Sequence, residues 1–263
     1  MKINKFFLIQ LWIGVSAFVL FAGQAEGRAS EVEMKSFIQK GDERLMPVTE
    51  AGCREAITEY DAALKTAPDH YEANWKIARA YCLILDIKTA GLIEEKEEYK
   101  PLLKEFGEKA ESYAEKAYTV NPKGVEGLTW YSASYAYHAS SMGILQAILK
   151  GAGGKLKKLA NELIAVDDAA SDALGYRLLG RLYFSAPFPV GNKTKALEYF
   201  KKSVEKAPGS LFNHYWLGEA YRAKEKEKEA RIEYQFVLDH PPTENEKHFS
   251  DSTREAARQR LKK

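Results

Sequence analysis

Cysteine, histidine and charge of one sign are all scarce in this chain, and each scarcity removes a class of function. Among 263 residues there are two cysteines and five histidines, His70, His138, His214, His240 and His248. No two histidines stand at a metal-binding helical spacing of the H-E-x-x-H kind, and neither cysteine neighbours a catalytic histidine. No Gly-x-Ser-x-Gly elbow occurs. The run Gly151 to Lys155 has a phosphate-loop look, but Leu156 follows Lys155 where Ser or Thr is needed, and no buried-strand run precedes it. Neither an enzyme nor a bound cofactor is expected. The 39 Lys and Arg stand against 37 Asp and Glu, and a net charge of +2 argues against a surface dedicated to nucleic acid or anionic membrane. The run Lys224 to Glu229 mixes both signs and reads as a solvated helical face. Alternating apolar residues, the mark of a strand, are absent throughout.

What is present is a spaced helical pattern. Leu217-Gly218, Tyr221, Ala230, Tyr234 and Pro242 recur one unit upstream as Leu179-Gly180, Tyr183, Ala196, Phe200 and Pro208, with Tyr176 ahead of them. This is the tetratricopeptide (TPR) signature, whose period is about 34 residues. Gly and Ala belong where two antiparallel helices approach closely, aromatics fill the gaps between pairs, and Pro ends the second helix for want of an N–H. A single pair cannot bury its apolar face, so the pairs must stack. The expected fold is therefore all-α: a TPR-like solenoid of about five helix pairs with a C-terminal capping helix.

The first pair spans Val32 to Met46 and Arg54 to Thr66, ending at Pro68. The second opens at Glu72 and closes with Ala110, Ala114, Ala117 and Pro122, with Asp86 to Gly107 as an insertion, helical near Glu94 to Tyr99 and broken by Pro101. That insertion suits either self-association into a homo-oligomer or an exposed loop-helix. In the third pair a helix opening at Leu128 runs past Met142 to Lys150, and Gly151 to Gly154 interrupts it before a helix marked by Leu156, Leu159, Leu163 and Val166. The fourth runs from Ala173 to Ala207 and the fifth from Ser210 to His240; a last helix covers about Ser252 to Leu261.

Residues 1–25 read as an export signal: Lys2 and Lys5, an apolar core from Phe6 to Phe21, then small residues placed for cleavage after Ala25 or Ala22. The competing reading is an uncleaved anchor, although the stretch is short against the roughly 20 residues that span a bilayer. Cleavage leaves a domain of 26–263 in a periplasm or outside the cell. There Cys53 and Cys82, at the same edge of an up-down-up stack, suit a disulfide; the alternative is two buried thiols acting as small apolar residues.

First helices line the concave side of such stacks. Here they carry Trp130, Tyr135, His138, Arg177, Arg181 and Tyr183, amphipathic rings and cations suited to an amphiphilic ligand or a partner peptide. The small residues of Ser132 to Gly143 either leave a cavity or let helices touch. Arg177 and Arg181, four apart, either meet a carboxylate together or pair with acids in the stack, Asp172 among them. Between Pro187 and Pro189, Phe188 is either part of a rigid connector or a contact for ligand or partner; Gly191-Asn192 then supplies a turn and an N-cap.

Tyr135 to Gly143, Leu178 to Lys193 and Ala196 to Phe200 together resemble the T-component (TatT) family of periplasmic proteins associated with TRAP transporters. The resemblance covers roughly 35–242 and is firmest over Gly175 to Pro208. It implies an exported helical-repeat protein that associates with a periplasmic solute-binding protein or another envelope protein and holds a hydrophobic small molecule. Members are often lipoproteins; here no Cys follows the apolar stretch.

Overall fold

A computed structural model describes residues 31–142, 146, 147 and 150–262. The signal-like segment, 1–25, and residues 143–145, 148 and 149 lie outside the described residues. Among the described residues there are eleven α-helices and no strand. They are α1 (31–45), α2 (Glu50–Thr66), α3 (Tyr71–Thr89), α4 (Lys100–Val120), α5 (Val125–Ser140), α6 (Ala152–Val166), α7 (Ala170–Ser185), α8 (Lys193–Lys206), α9 (Leu211–Arg222), α10 (Glu227–Asp239) and α11 (Ser250–Leu261). Each helix packs on the next and, in alternation, on the next but one, so five hairpins stack into a TPR-like solenoid and α11 lies over the last pair.

The boundaries follow local chemistry. Thr49 and Asn192 cap α2 and α8 by accepting from the amides of Gly52 and Lys195, each at 3.0 Å. Ser210 caps α9 through the amide of Asn213 at 3.1 Å. Helices α2, α4, α8 and α10 stop just before Pro68, Pro122, Pro208 and Pro241, where a residue without an N–H cannot continue the turn. Pro101 does the opposite of what its position in the sequence suggests: it sits in the first turn of α4 and helps to begin that helix. There the missing amide hydrogen costs nothing, because the first N–H groups of a helix have no internal acceptor. The insertion is accordingly shorter than expected, two 3₁₀ turns at Ala90–Leu92 and Glu97–Tyr99. Helix α5 ends at Ser140, earlier than its small-residue run implies.

Within a hairpin the helices meet where glycine faces a ring. A Cβ on Gly180 would stand 2.6 Å from the Phe200 ring, and one on Gly218 would stand 2.6 Å from the Tyr234 ring. Gly41 faces Tyr60 in the same way. The rings Tyr60, Phe200 and Tyr234 are fully buried. Acids secure two of them: Tyr60 donates to Asp42 at 2.8 Å and Tyr234 to Glu219 at 2.6 Å, each acid directly following the facing glycine. Around these contacts the core forms three adjoining clusters, over α1–α4, over α3 to α7, and over α7 to α11.

Replacing Gly180 or Gly218 by alanine should therefore destabilise the fold, despite alanine's better helix propensity, by about 1–3 kcal/mol through overpacking. Urea unfolding followed by circular dichroism checks this; an unchanged midpoint for both variants rules the contact out as a constraint.

Candidate functional site

The concave side is a cavity of about 1240 Å³. Its wall comes from first helices at helical spacing: Trp75, Arg79, Cys82 and Asp86 from α3; Trp130, Ala133, Ala136 and Tyr137 from α5; Leu174, Arg177, Leu178 and Arg181 from α7. Two segments narrow the opening of this curved wall. The turn after α3 folds inward, burying Gly91 and Leu92, and Glu246, His248 and Phe249 between α10 and α11 fold back across from the far end. They meet: Gly91 lies against Phe212 and Phe249, Phe212 and Phe249 pack edge to face at 5.3 Å, and His248 Nε2 lies 3.3 Å from Asp86. The inner part of the insertion therefore serves closure, and only its outer residues, around Glu94 to Glu98, face solvent.

Small residues on α5 divide by role. Ser132 and Ser134 are buried, their hydroxyls returned to the Leu128 and Tyr131 carbonyls, and they permit close helix contact. Ala133, Ala136, Ala139 and Ser140 leave the open space of the cavity. Both expectations for this stretch hold within one helix.

The polar groups inside have distinct duties. Asp86 accepts from the hydroxyl of Tyr137 and from His248; burial, then the Asp86 charge, raises the Tyr137 hydroxyl well above its ordinary pKa and keeps it protonated. Glu246 caps the start of α9, accepting from the Ser210 hydroxyl and from the Leu211 and Phe212 amides at 2.9 and 3.2 Å. Ser171, Asp172 and Ala173 are left-handed, with φ of 48°, 58° and 57°, a conformation costing roughly 1–3 kcal/mol per residue. Arg177 holds them, donating to the Asp172 carbonyl at 2.9 Å and to Asn213 at 2.8 Å; Asn213 donates to the same carbonyl and Thr243 to the Asp172 carboxylate.

Of the residues singled out from sequence, Trp130, Arg177, Arg181, Tyr183 and Phe188 line the cavity. Trp130 is half-buried under the Arg79 guanidinium, and Tyr183 stacks on Tyr199 at 5.6 Å. Phe188 is 94% exposed; with Met46 and Val190 it forms an apolar rim at the mouth. Tyr135 and His138 lie elsewhere: Tyr135 is in the core beneath Lys155, and His138 faces α4, its Nδ1 2.6 Å from Glu111. Arg177 and Arg181 do not converge on one acid, since Arg177 is committed to the left-handed turn. Glu246, His248 and Phe249 lie in a segment with no helical period, and the Asp86–His248 contact joins positions 162 apart, so no local pattern points to either.

Cys53 and Cys82 are both buried with free thiols, and burial pushes the Cys53 thiol up to about 11. No helix among the described residues is long and apolar enough to cross a membrane.

These features define a TPR-like helical solenoid with a half-open inner cavity. The chain belongs to the family described as Regulator of microtubule dynamics protein 1-3, whose model matches residues 38–187, more than half of its length. The thermophilic TPR protein TTC0263 of Thermus thermophilus is similar in structure at a TM-score of 0.61, with 16% identity over 88% of this chain and 100% of that one. A MamA protein aligns at 0.50, with 19% identity over 79% and 91% of the two chains. At these identities the likeness concerns the fold alone. A comparison with curated proteins finds no match.

Buried thiols should resist alkylation in the folded chain and react only on unfolding. Mass spectrometry after iodoacetamide treatment, with and without urea and reductant, checks this. Two labels in urea without reductant identify free thiols, whereas labelling that requires reductant identifies the Cys53–Cys82 bond.

Proposed function

We propose that this is a non-catalytic binding protein that encloses an apolar or amphiphilic small molecule within its stack and presents that cargo to a protein partner at the cavity mouth. The observation that carries the reading is the cavity itself. Its 1240 Å³ exceeds the roughly 300–1,000 Å³ usual for small-molecule pockets, and Ala133, Ala136 and Ala139 leave room along its α5 wall. Chains that merely need two helices to touch use small residues only where the helices meet. The partner side of the reading rests on Phe188 and Met46, large apolar residues held out in solvent at the mouth, and on the protein-binding use to which TPR-like stacks lend themselves.

The finer assignment follows from the resemblance of Leu178 to Lys193 to the T-component family. In it the chain is exported on residues 1–25, works in a periplasm, and hands its cargo to, or takes it from, the solute-binding protein of a TRAP-type system. Expression with the leader intact should yield a mature species starting near Glu26 in the periplasmic fraction. Intact-mass analysis finding residues 1–25 still attached in the membrane fraction rules out that localisation.

Filling the cavity tests the central claim. Ala136→Phe should remove at least about 90% of the apolar material found by mass spectrometry in organic extracts of the purified protein, while helix content by circular dichroism is kept. An extract of the unmodified protein holding no such material, together with no affinity for alkyl probes, refutes enclosure and leaves a structural scaffold of the cell envelope as the reading.

A further inference from the structure

Arg181 lies in the wall of the cavity, and the rest of the molecule gives it little to do. Of the N–H donors on its guanidinium, one bonds to the Leu92 carbonyl at 3.0 Å, and the group packs over Trp216 at 4.7 Å from the ring centroid. No carboxylate among the described residues forms an ion pair with it. The acids nearest in kind are engaged: Asp86 by Tyr137 and His248, Glu246 by the start of α9. Glu95, an exposed acid on the wall of the same cavity, is the carboxylate that attracts it most, from beyond ion-pair distance. Arg177, one turn away, is consumed by Asp172 and Asn213. A half-buried guanidinium without a matching anion keeps part of its desolvation cost uncompensated, and burial lowers the Arg181 pKa.

The repeat register sharpens the point. Asp42 and Glu219 each follow a glycine that faces a buried tyrosine, and each accepts that tyrosine's hydroxyl and pairs with a cation, Lys76 or Arg260. Arg181 occupies the corresponding position after Gly180, but the facing ring is Phe200, which has no hydroxyl. The structural network of the other two hairpins is thus absent at the one position where the cation turns toward open space.

We infer that Arg181 is the head-group site of the cavity, binding the carboxylate or phosphate of an acidic amphiphile whose alkyl chain lies along the alanine face of α5 and along Leu174, Leu178 and Leu182 of α7. This rests on the enclosure reading above and gives the cargo its chemical class. Guanidinium presents a planar fork that matches two oxygens of either head group. Its stacking on Trp216 and its bond to Leu92 fix the fork before the ligand arrives, which lowers the ordering cost of binding.

Three sixteen-carbon probes separate the parts of this inference: hexadecanoate, hexadecyl phosphate and hexadecan-1-ol, titrated into the purified chain with tryptophan fluorescence or calorimetry as readout. The acidic probes should bind the unmodified chain about 10- to 100-fold more tightly than the alcohol, the factor expected for hydrogen bonds to a charged group. Arg181→Met should abolish that preference and leave the alcohol unchanged, with Arg181→Lys intermediate. A stronger response to hexadecanoate or to hexadecyl phosphate identifies which head group is the physiological one. Equal binding of all three probes by the unmodified chain overturns the head-group site while enclosure stands, and this comparison does not depend on any variant folding. Binding of none of the probes removes enclosure and the head-group site together.

Discussion

Everything in this molecule depends on how closely two helices of a hairpin can approach. Gly41, Gly180 and Gly218 each lie against the ring of a tyrosine or phenylalanine on the following helix, at separations that leave no room for a methyl group. That contact sets the spacing within the first, fourth and fifth pairs, and the spacing sets the angle at which the next pair stacks. The curvature of the stack, and hence the space on its inner side, follows from side chains that never touch the cavity. A close-packed interior transmits such constraints because it has few voids in which to absorb a misplaced atom.

On this frame the chain builds a partly closed cavity in place of the open groove typical of helical repeats. The inward turn at Ala90–Leu92 and the returning segment at Glu246 to Phe249 are irregular, yet they are held as firmly as helices. Backbone left-handed at Ala90, Gly91 and Leu92 is anchored by Arg181 and by packing against Phe212 and Phe249. The left-handed turn at Ser171 to Ala173 is anchored by Arg177, Asn213 and Thr243. Conformations of this kind persist only where surrounding contacts over-determine them. Two arginines four residues apart on α7 thus address strained carbonyls on opposite sides, and one of them retains unused donors.

The stack itself was legible in the sequence because it is written in short-range terms. Leu217-Gly218 with Tyr234, and Leu179-Gly180 with Phe200, report helix contacts within a single repeat. Prolines 68, 122 and 208 mark helix ends through the covalent geometry of one residue. The concave residues Trp130, Arg177 and Arg181 followed from the rule that first helices face inward. Tyr135 and His138 sit on the same helix as Trp130, but on the faces turned to neighbouring helices, and the period alone could not separate these faces where nearly every side chain is small or aromatic. The closure was illegible for a different reason. Asp86 and His248 become neighbours only when five hairpins have accumulated their rotations, and no local pattern encodes such a sum. Pro101 shows the same limit at short range, since a residue that breaks a helix from within begins one from its first turn.

The meeting of Gly91 with Phe249, and of Asp86 with His248, has a consequence for how this architecture can vary. An open repeat array tolerates gain or loss of a unit, because each unit touches only its neighbours. Here the tail reaches back to the second hairpin, so the number of hairpins is fixed by the requirement that the two rims coincide. The molecule behaves as a clasp whose fastening joins the second hairpin to the segment after the last, and its unfolding should be felt as one event even though its parts are repeated.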